Sequence, residues 1–156
     1  MVEKTKFLGL IFDRKLSFIP HLHYLKEKMS ERYKSARLRV IAHTSWGADQ
    51  QTLLHLYGSL IKSKLDYGCI VYGSARPSYL KILNPIHNHA LRLCFGAFRT
   101  SSAVSLCVQA TEPPLALRRK KLALQYCLEL IANTDNPAYN AVFNSKFKTQ
   151  FDNKPS

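Results

Sequence analysis

Apolar positions follow two patterns along this chain: one short run near the N-terminus, then a series of stripes that repeat every three to four residues. The run Thr5–Asp13 (TKFLGLIFD) is bounded by charges and predicts one short β-strand. No later stretch alternates with period two, so this strand is expected to pair outside the chain or to lie as an extended arm. Past Asp13 the period becomes helical. Leu22, Leu25, Met29, Tyr33, Ala36 and Val40 follow Pro20 at steps of three and four and predict a long amphipathic helix. The string TSWGAD closes it. Leu53, Leu56, Tyr57, Leu60 and Lys64 then mark a second helix, ending near Asp66-Tyr67-Gly68 and packed antiparallel on the first.

The run Cys69–Gly73 is too short for its period to decide between an extended stretch and more helix. After Arg76-Pro77, Ser78 is a candidate N-cap for a third helix through Leu80, Leu83, Ile86, Ala90, Leu93 and Ala97. Pro85 requires that helix either to kink or to begin near Asn84. A loop over Gly96–Ser102 and a short helix over Ala103–Val108 follow, and Pro113-Pro114 opens a last long helix with proline at its first position. There Leu115, Leu122, Tyr126 and Leu130 share one face and Leu117, Leu124, Leu128 and Ile131 another, which predicts burial on two sides in the helix's C-terminal half. From Asn133 the chain turns polar, with one more short helix expected from Asn136-Pro137 to Phe143 and a frayed end beyond it. The expected fold is mainly α, a single-domain bundle of about five helices with one short N-terminal β-strand.

Composition sharpens this picture. Lys and Arg number 23 against 10 Asp and Glu in 156 residues, a formal charge of +13, yet 46% of the residues are hydrophobic, enough for a packed core. A polycationic tail is thereby excluded. No apolar run approaches the roughly 18 residues of a membrane span, and MVEKTKFLGLIFDRK lacks the features of a secretory signal, so an intracellular setting, nuclear or cytoplasmic, is expected. Cys69, Cys94, Cys107 and Cys127 form no CxxC pair and lie in apolar helical patterns, as reduced core thiols do.

Charge also supplies the candidate chemistry. Arg118, Arg119, Lys120 and Lys121 stand in the first turns of the last helix, where the helix dipole disfavours cations, so a compensating anion is called for. Phosphates of a nucleic acid would supply it; a solvated charged face is the plainer reading. Lys26, Arg32 and Arg37 on the first helix, near Tyr24 and Tyr33, are a second phosphate-tracking candidate. Two His-x-His pairs, His21/His23 and His87/His89, point about 200° apart on a helix and cannot chelate one metal alone. Trp46, Tyr57, Tyr67 and Tyr72 fit core or loop packing better than base stacking. No signature of nucleophilic catalysis occurs.

Four strings in order, FLGLIFDRKLSFIPHL, LYGSLIKSKLDYGCIVYG, ILNPIHNHALRLCFGAFRTS and TEPPLALRRKKLAL, resemble the region just after the palm in reverse transcriptases of non-LTR (LINE-type) retrotransposons. The resemblance covers residues 5 to 131. It implies a primer-grip role for Phe7, Leu8 and Gly9, which match the family's FLG strand, and a thumb-like character for the helices that follow. On this basis residues 1–16 are expected to be a palm remnant, 17–133 a thumb-like domain and 134–156 a linker or frayed tail. The family's palm carries a YxDD carboxylate pair for two Mg²⁺ ions, and this chain has no Asp-Asp pair. The expected activity is therefore binding of a template–primer, RNA, DNA or an RNA–DNA hybrid, with no polymerisation by this chain alone and Mg²⁺ belonging only to the palm. The palm itself and a second copy of the chain are expected partners, and a membrane is not. A helical protein–protein interaction module and a decayed reading frame without function are the alternatives.

Overall fold

The computed structural model describes residues 3–35 and 48–143. The chain opens with β1 (Lys4–Phe7) and β2 (Leu10–Asp13), which pair antiparallel with Phe7 opposite Leu10 and Lys4 opposite Asp13. The segment expected to be a single strand seeking an outside partner is thus a hairpin that supplies its own. The reversal falls at Leu8-Gly9, where both φ angles are positive, 45° and 82°. Two consecutive positive φ values form the two-residue turn whose twist matches that of the flanking strands. Leucine seldom takes the first position of such a turn, so nothing in the apolar run announces it.

Helices make up most of the rest, as expected for a mainly α fold. They are α1 (Ile19–Ser35), α2 (Gln50–Tyr57), a π-helical turn (Gly58–Lys62) running into α3 (Ser63–Asp66), α4 (Cys69–Tyr72), α5 (Pro77–Leu80), a 3₁₀ turn (Lys81–Leu83) running into α6 (Asn84–Cys94), α7 (Ala103–Gln109), α8 (Leu115–Ala132) and α9 (Pro137–Phe143). Asp49 caps α2 by accepting from the amides of Gln51 and Thr52 at 3.1 and 3.3 Å. Gly68, at φ 67°, breaks the helix after Asp66-Tyr67, and Cys69–Tyr72 is one further helical turn rather than an extended stretch. Of the two possibilities at Pro85, the helix starts afresh at Asn84 with the proline in its first turn.

Two caps differ from expectation. Arg76, not Ser78, is the N-cap of α5, because Pro77 takes the first helical position. Pro114 is itself the N-cap of α8, which starts one residue later than expected. Packing differs as well. α1 packs on β2, on α5 and on the Lys81–Cys94 segment, and α2 also packs on α6, so among the described residues α6 touches both of the first two helices; residues 36–47, through which those two were expected to join, lie outside the described residues. The buried residues of α6, His87, Ala90, Leu91 and Cys94, at steps of three and four, form the single face that meets both. Leu22, Ile61, Leu83 and Leu91 are fully buried at the centre, each contributing on the order of 1.5–3 kcal/mol.

Asp13 joins hairpin to helix. Its carboxylate accepts from the Ser17 amide and hydroxyl and from the Phe18 amide at 3.1, 2.9 and 2.8 Å, holding a turn in which Leu16 and Phe18 both have positive φ. Partial burial opposes ionisation of Asp13, but these hydrogen bonds outweigh it and hold the carboxyl below its ordinary value.

Candidate nucleic-acid interface

The four consecutive cations of α8 separate into three environments. Arg118 turns inward and grips Asp66 at the end of α3, with Nε 3.2 Å and Nη2 2.7 Å from Oδ2. These hydrogen bonds, with the charge of the carboxylate, hold the guanidinium firmly ionised. Arg119 is half-buried against the Gly73 turn, its Cδ 3.9 Å from where a glycine Cβ would stand, and burial lowers its pKa. Lys120 and Lys121 are exposed. The compensating anion called for at this helix end is thus in part an internal one, Asp66.

A second basic surface lies where the hairpin meets α1. Lys6 reaches Tyr24, with Nζ 3.4 Å from the hydroxyl and 4.9 Å from the ring centroid, and Lys28 approaches the same ring at 5.8 Å. Lys26 is exposed on the same helix, and Arg32 belongs to its last turn. Arg37 and Trp46 lie outside the described residues, as does 144–156 of the expected tail. Lys6 is a residue that sequence reasoning missed, because only the hairpin's fold brings it beside α1.

The expected primer-grip residues form the hairpin tip. Phe7 and Leu8 are 64% and 72% exposed, and the Leu8 carbonyl accepts from the Tyr67 hydroxyl at 2.7 Å. A Cβ on Gly68 would stand 2.7 Å from Leu10 Cδ2, so the glycine that ends the second helix also admits the hairpin. The FLG and LDYG strings, far apart in sequence, therefore touch. Tyr57 and Tyr72 are core residues: the Tyr57 hydroxyl lies 2.7 Å from His87 Nδ1, and the Tyr72 hydroxyl donates to the Leu65 carbonyl.

Each His-x-His pair divides into one buried and one exposed ring, as their angular separation requires. His21 Nδ1 accepts the Ile11 amide at 3.3 Å, so its proton sits on Nε2. His87 bridges Tyr57 and Cys107, whose Sγ is 3.4 Å from Nε2, beside a cavity of about 160 Å³ that Asn84, Asn88 and Val104 also line. Burial pushes the Cys107 thiol up and His87 down, the opposite of what an activated thiolate needs. Cys69, Cys94 and Cys107 are buried free thiols, as expected; Cys127 is only half-buried. Among the described residues no three His, Cys, Asp or Glu side chains stand close enough to hold a metal ion, so the donors for a pair of Mg²⁺ ions are not assembled there. No helix of the described residues is long and apolar enough to cross a membrane.

What the arrangement offers is cationic surface. Asp66 is paired with Arg118, Glu112 with Lys62 at 2.5 Å, Asp49 caps the start of α2, and Asp13 holds the turn before α1. Four of the 10 acidic residues are thereby engaged internally, which adds to the excess of positive charge at the surface.

Against known proteins, no family model matches the chain and no solved structure does. Curated relatives do. A retrovirus-related Pol polyprotein from type-1 retrotransposable element R1 4 of Nasonia vitripennis is 24% identical over 126 residues, 81% of this chain and 32% of the relative. A protein of Drosophila melanogaster named a probable RNA-directed DNA polymerase from transposon X-element is 28% identical over 92 residues, covering 59% of this chain and 10% of the relative. A 115 kDa protein in type-1 retrotransposable element R1DM of the same fly is 28% identical over 130 residues, 82% of this chain and 12% of the relative. The chain thus spans about a third of the first relative and about a tenth of the other two. The resemblance read from the four strings is borne out, and the chain is related to a region of retrotransposon polyproteins and RNA-directed DNA polymerases.

Proposed function

We propose that this chain binds nucleic acid, as a template–primer-holding region of a retrotransposon RNA-directed DNA polymerase that has none of the palm's catalytic carboxylates. The observation that carries this reading is the distribution of charge: four of the 10 acidic side chains, Asp13, Asp49, Asp66 and Glu112, are engaged in ion pairs or local hydrogen bonds, while Lys6, Lys26, Lys28, Lys120 and Lys121 face solvent or an aromatic ring. Lysines around Tyr24 suit a sugar–phosphate backbone with a ring for a base or sugar to pack on. In the same reading residues 17–133 act as the thumb-like part, and the Phe7-Leu8-Gly9 tip, exposed at the end of its hairpin, is the part that would touch the end of a primer.

The test is binding of a labelled RNA–DNA hybrid across a range of salt. Affinity should fall steeply as salt rises. Replacing Lys120 and Lys121 with Ala, or Lys6, Lys26 and Lys28 with Ala, should flatten the log–log slope by about 0.7–0.9 for each phosphate that is no longer neutralised, alike for every sequence. Slopes unchanged in both variants would leave the lysines as a solvated face and make the protein-interaction module the better account.

A further inference from the structure

The cavity beside His87 lies where the starts of α6, α7 and α8 meet, and neither the core nor the basic surfaces account for it. Its volume is about 160 Å³. Ala103 and Leu115 give it apolar walls, and Val104 and Ala116, both exposed, line it as well, so it opens to the surface. His87 and Cys107 form its buried side, but both ring nitrogens of His87 are taken, Nδ1 by the Tyr57 hydroxyl and Nε2 by the Cys107 thiol. Two polar groups are left. Asn84 and Asn88, half-buried and four residues apart on α6, make no side-chain hydrogen bond among the described residues. Enclosure takes part of their water away, so a ligand with a matching donor and acceptor gains by meeting them. None of the lining residues carries a formal charge, and a charge on the buried part of that ligand would go unpaired.

We propose that this cavity receives one unstacked pyrimidine base of a single-stranded nucleic acid, with Asn84 and Asn88 hydrogen-bonded to its polar edge. The proposal rests on the nucleic-acid reading and adds to it a site for a base, where the lysines supply phosphate contacts only. Size selects one ring. A closed cavity of about 150 Å³ takes a benzene molecule, so an open one of this volume takes a six-membered ring with its exocyclic groups. A carboxamide is both donor and acceptor, and Cβ atoms four residues apart on a helix stand about 5–6 Å from each other, a span that brackets the polar atoms along the pairing edge of a pyrimidine. That edge is occupied in a duplex, and only a base out of its stack can offer it. Cations follow closely on two of the lining segments: Lys120, exposed, is one turn beyond Ala116, and Lys81, also exposed, is three residues before Asn84. They suit the phosphates on either side of a captured base.

Fluorescence anisotropy of the full chain with three labelled strands of equal length tests it: oligouridylate, oligoadenylate and an abasic strand with the same phosphates. At fixed salt the uridine strand should bind about three- to tenfold tighter than the abasic one. Asn84→Ala/Asn88→Ala should remove most of that preference. So should Ala116→Phe, which fills the mouth from an exposed position and leaves the circular dichroism spectrum unchanged. The salt slope should stay the same in both variants, because no phosphate contact is altered. Equal affinity for uridine and abasic strands, or a preference that survives both variants, overturns the pocket and leaves the lysine-based reading standing. A preference lost in Ala116→Phe alone overturns the role given to the asparagines, and an adenosine strand that loses as much overturns the choice of a pyrimidine. Binding of no strand at low salt overturns the pocket and the nucleic-acid reading together.

Discussion

Single residues divide the basic cluster more sharply than the sequence does. Arg118 and Lys120 are two positions apart, and four cations in a row look equivalent in one dimension. In three, Arg118 holds Asp66 through a two-nitrogen grip between side chains only 22% exposed, and Lys120 faces solvent. Arg118→Ala should therefore lower stability by about 1–2 kcal/mol in urea denaturation, leaving Asp66 unpaired. The Lys120→Ala/Lys121→Ala protein should unfold as the parent does, any loss being confined to nucleic-acid affinity. A second residue-scale prediction concerns acid. His21 and His87 are buried neutral, both with pKa values lowered by desolvation, and His21 uses Nδ1 to accept the Ile11 amide. The unfolded chain binds protons at these rings first. Their contribution is thus fully present above the ordinary histidine value near 6.5 and is lost as pH falls below it, at up to about 1.4 kcal/mol per pH unit for each ring. Asp13 and Asp49, held below the ordinary carboxyl value, lose their share only in stronger acid. Denaturation midpoints should drop between pH 7 and pH 5, and a His21→Gln/His87→Gln protein should show a much flatter profile.

Elements were legible where one periodicity ran long enough. The stripes in α1, α2, α6 and α8 located those helices because burial of one face leaves a 3.6-residue trace, and Gly68 marked the end of the second helix for its freedom at positive φ. The hairpin was not legible, since Leu8-Gly9 carries neither of the usual turn signatures and an apolar run reads the same folded or extended. Nor was the outer face of α8, where Leu117, Leu124, Leu128 and Ile131 are exposed rather than buried, because a leucine stripe looks alike whether it is covered or bare. For the candidate site the sequence located Lys26, Lys120 and Lys121 at the surface, but it did not foresee Lys6 beside Tyr24, a meeting made by the hairpin's fold. The hairpin's attachment is open to test. Gly68→Ala should cost about 1–3 kcal/mol, combining strain at φ 67° with the clash on Leu10 Cδ2. A Leu10→Val change should be less harmful in the alanine background than alone, which a double-mutant cycle will register as coupling; strictly additive losses would mean that the two residues do not press on each other.

At the scale of the whole molecule, the charge of +13 sets two kinds of association against each other. In-line attack on a nucleotide requires clustered carboxylates, so purified chain is expected to extend no primer with Mg²⁺ or Mn²⁺ in a template-directed incorporation assay. Binding to a polyanion releases counterions and must weaken as salt rises. Contact between two copies of the chain would respond the other way, because the long-range repulsion between two +13 bodies is what salt screens. Sedimentation and hybrid binding measured on one preparation should therefore separate the two effects: hybrid loses affinity as salt is raised, whereas association of the bare chain does not. Association that weakens with salt as steeply as hybrid binding does would point to nucleic acid carried through purification and bridging two copies, and removal of that nucleic acid would then abolish it.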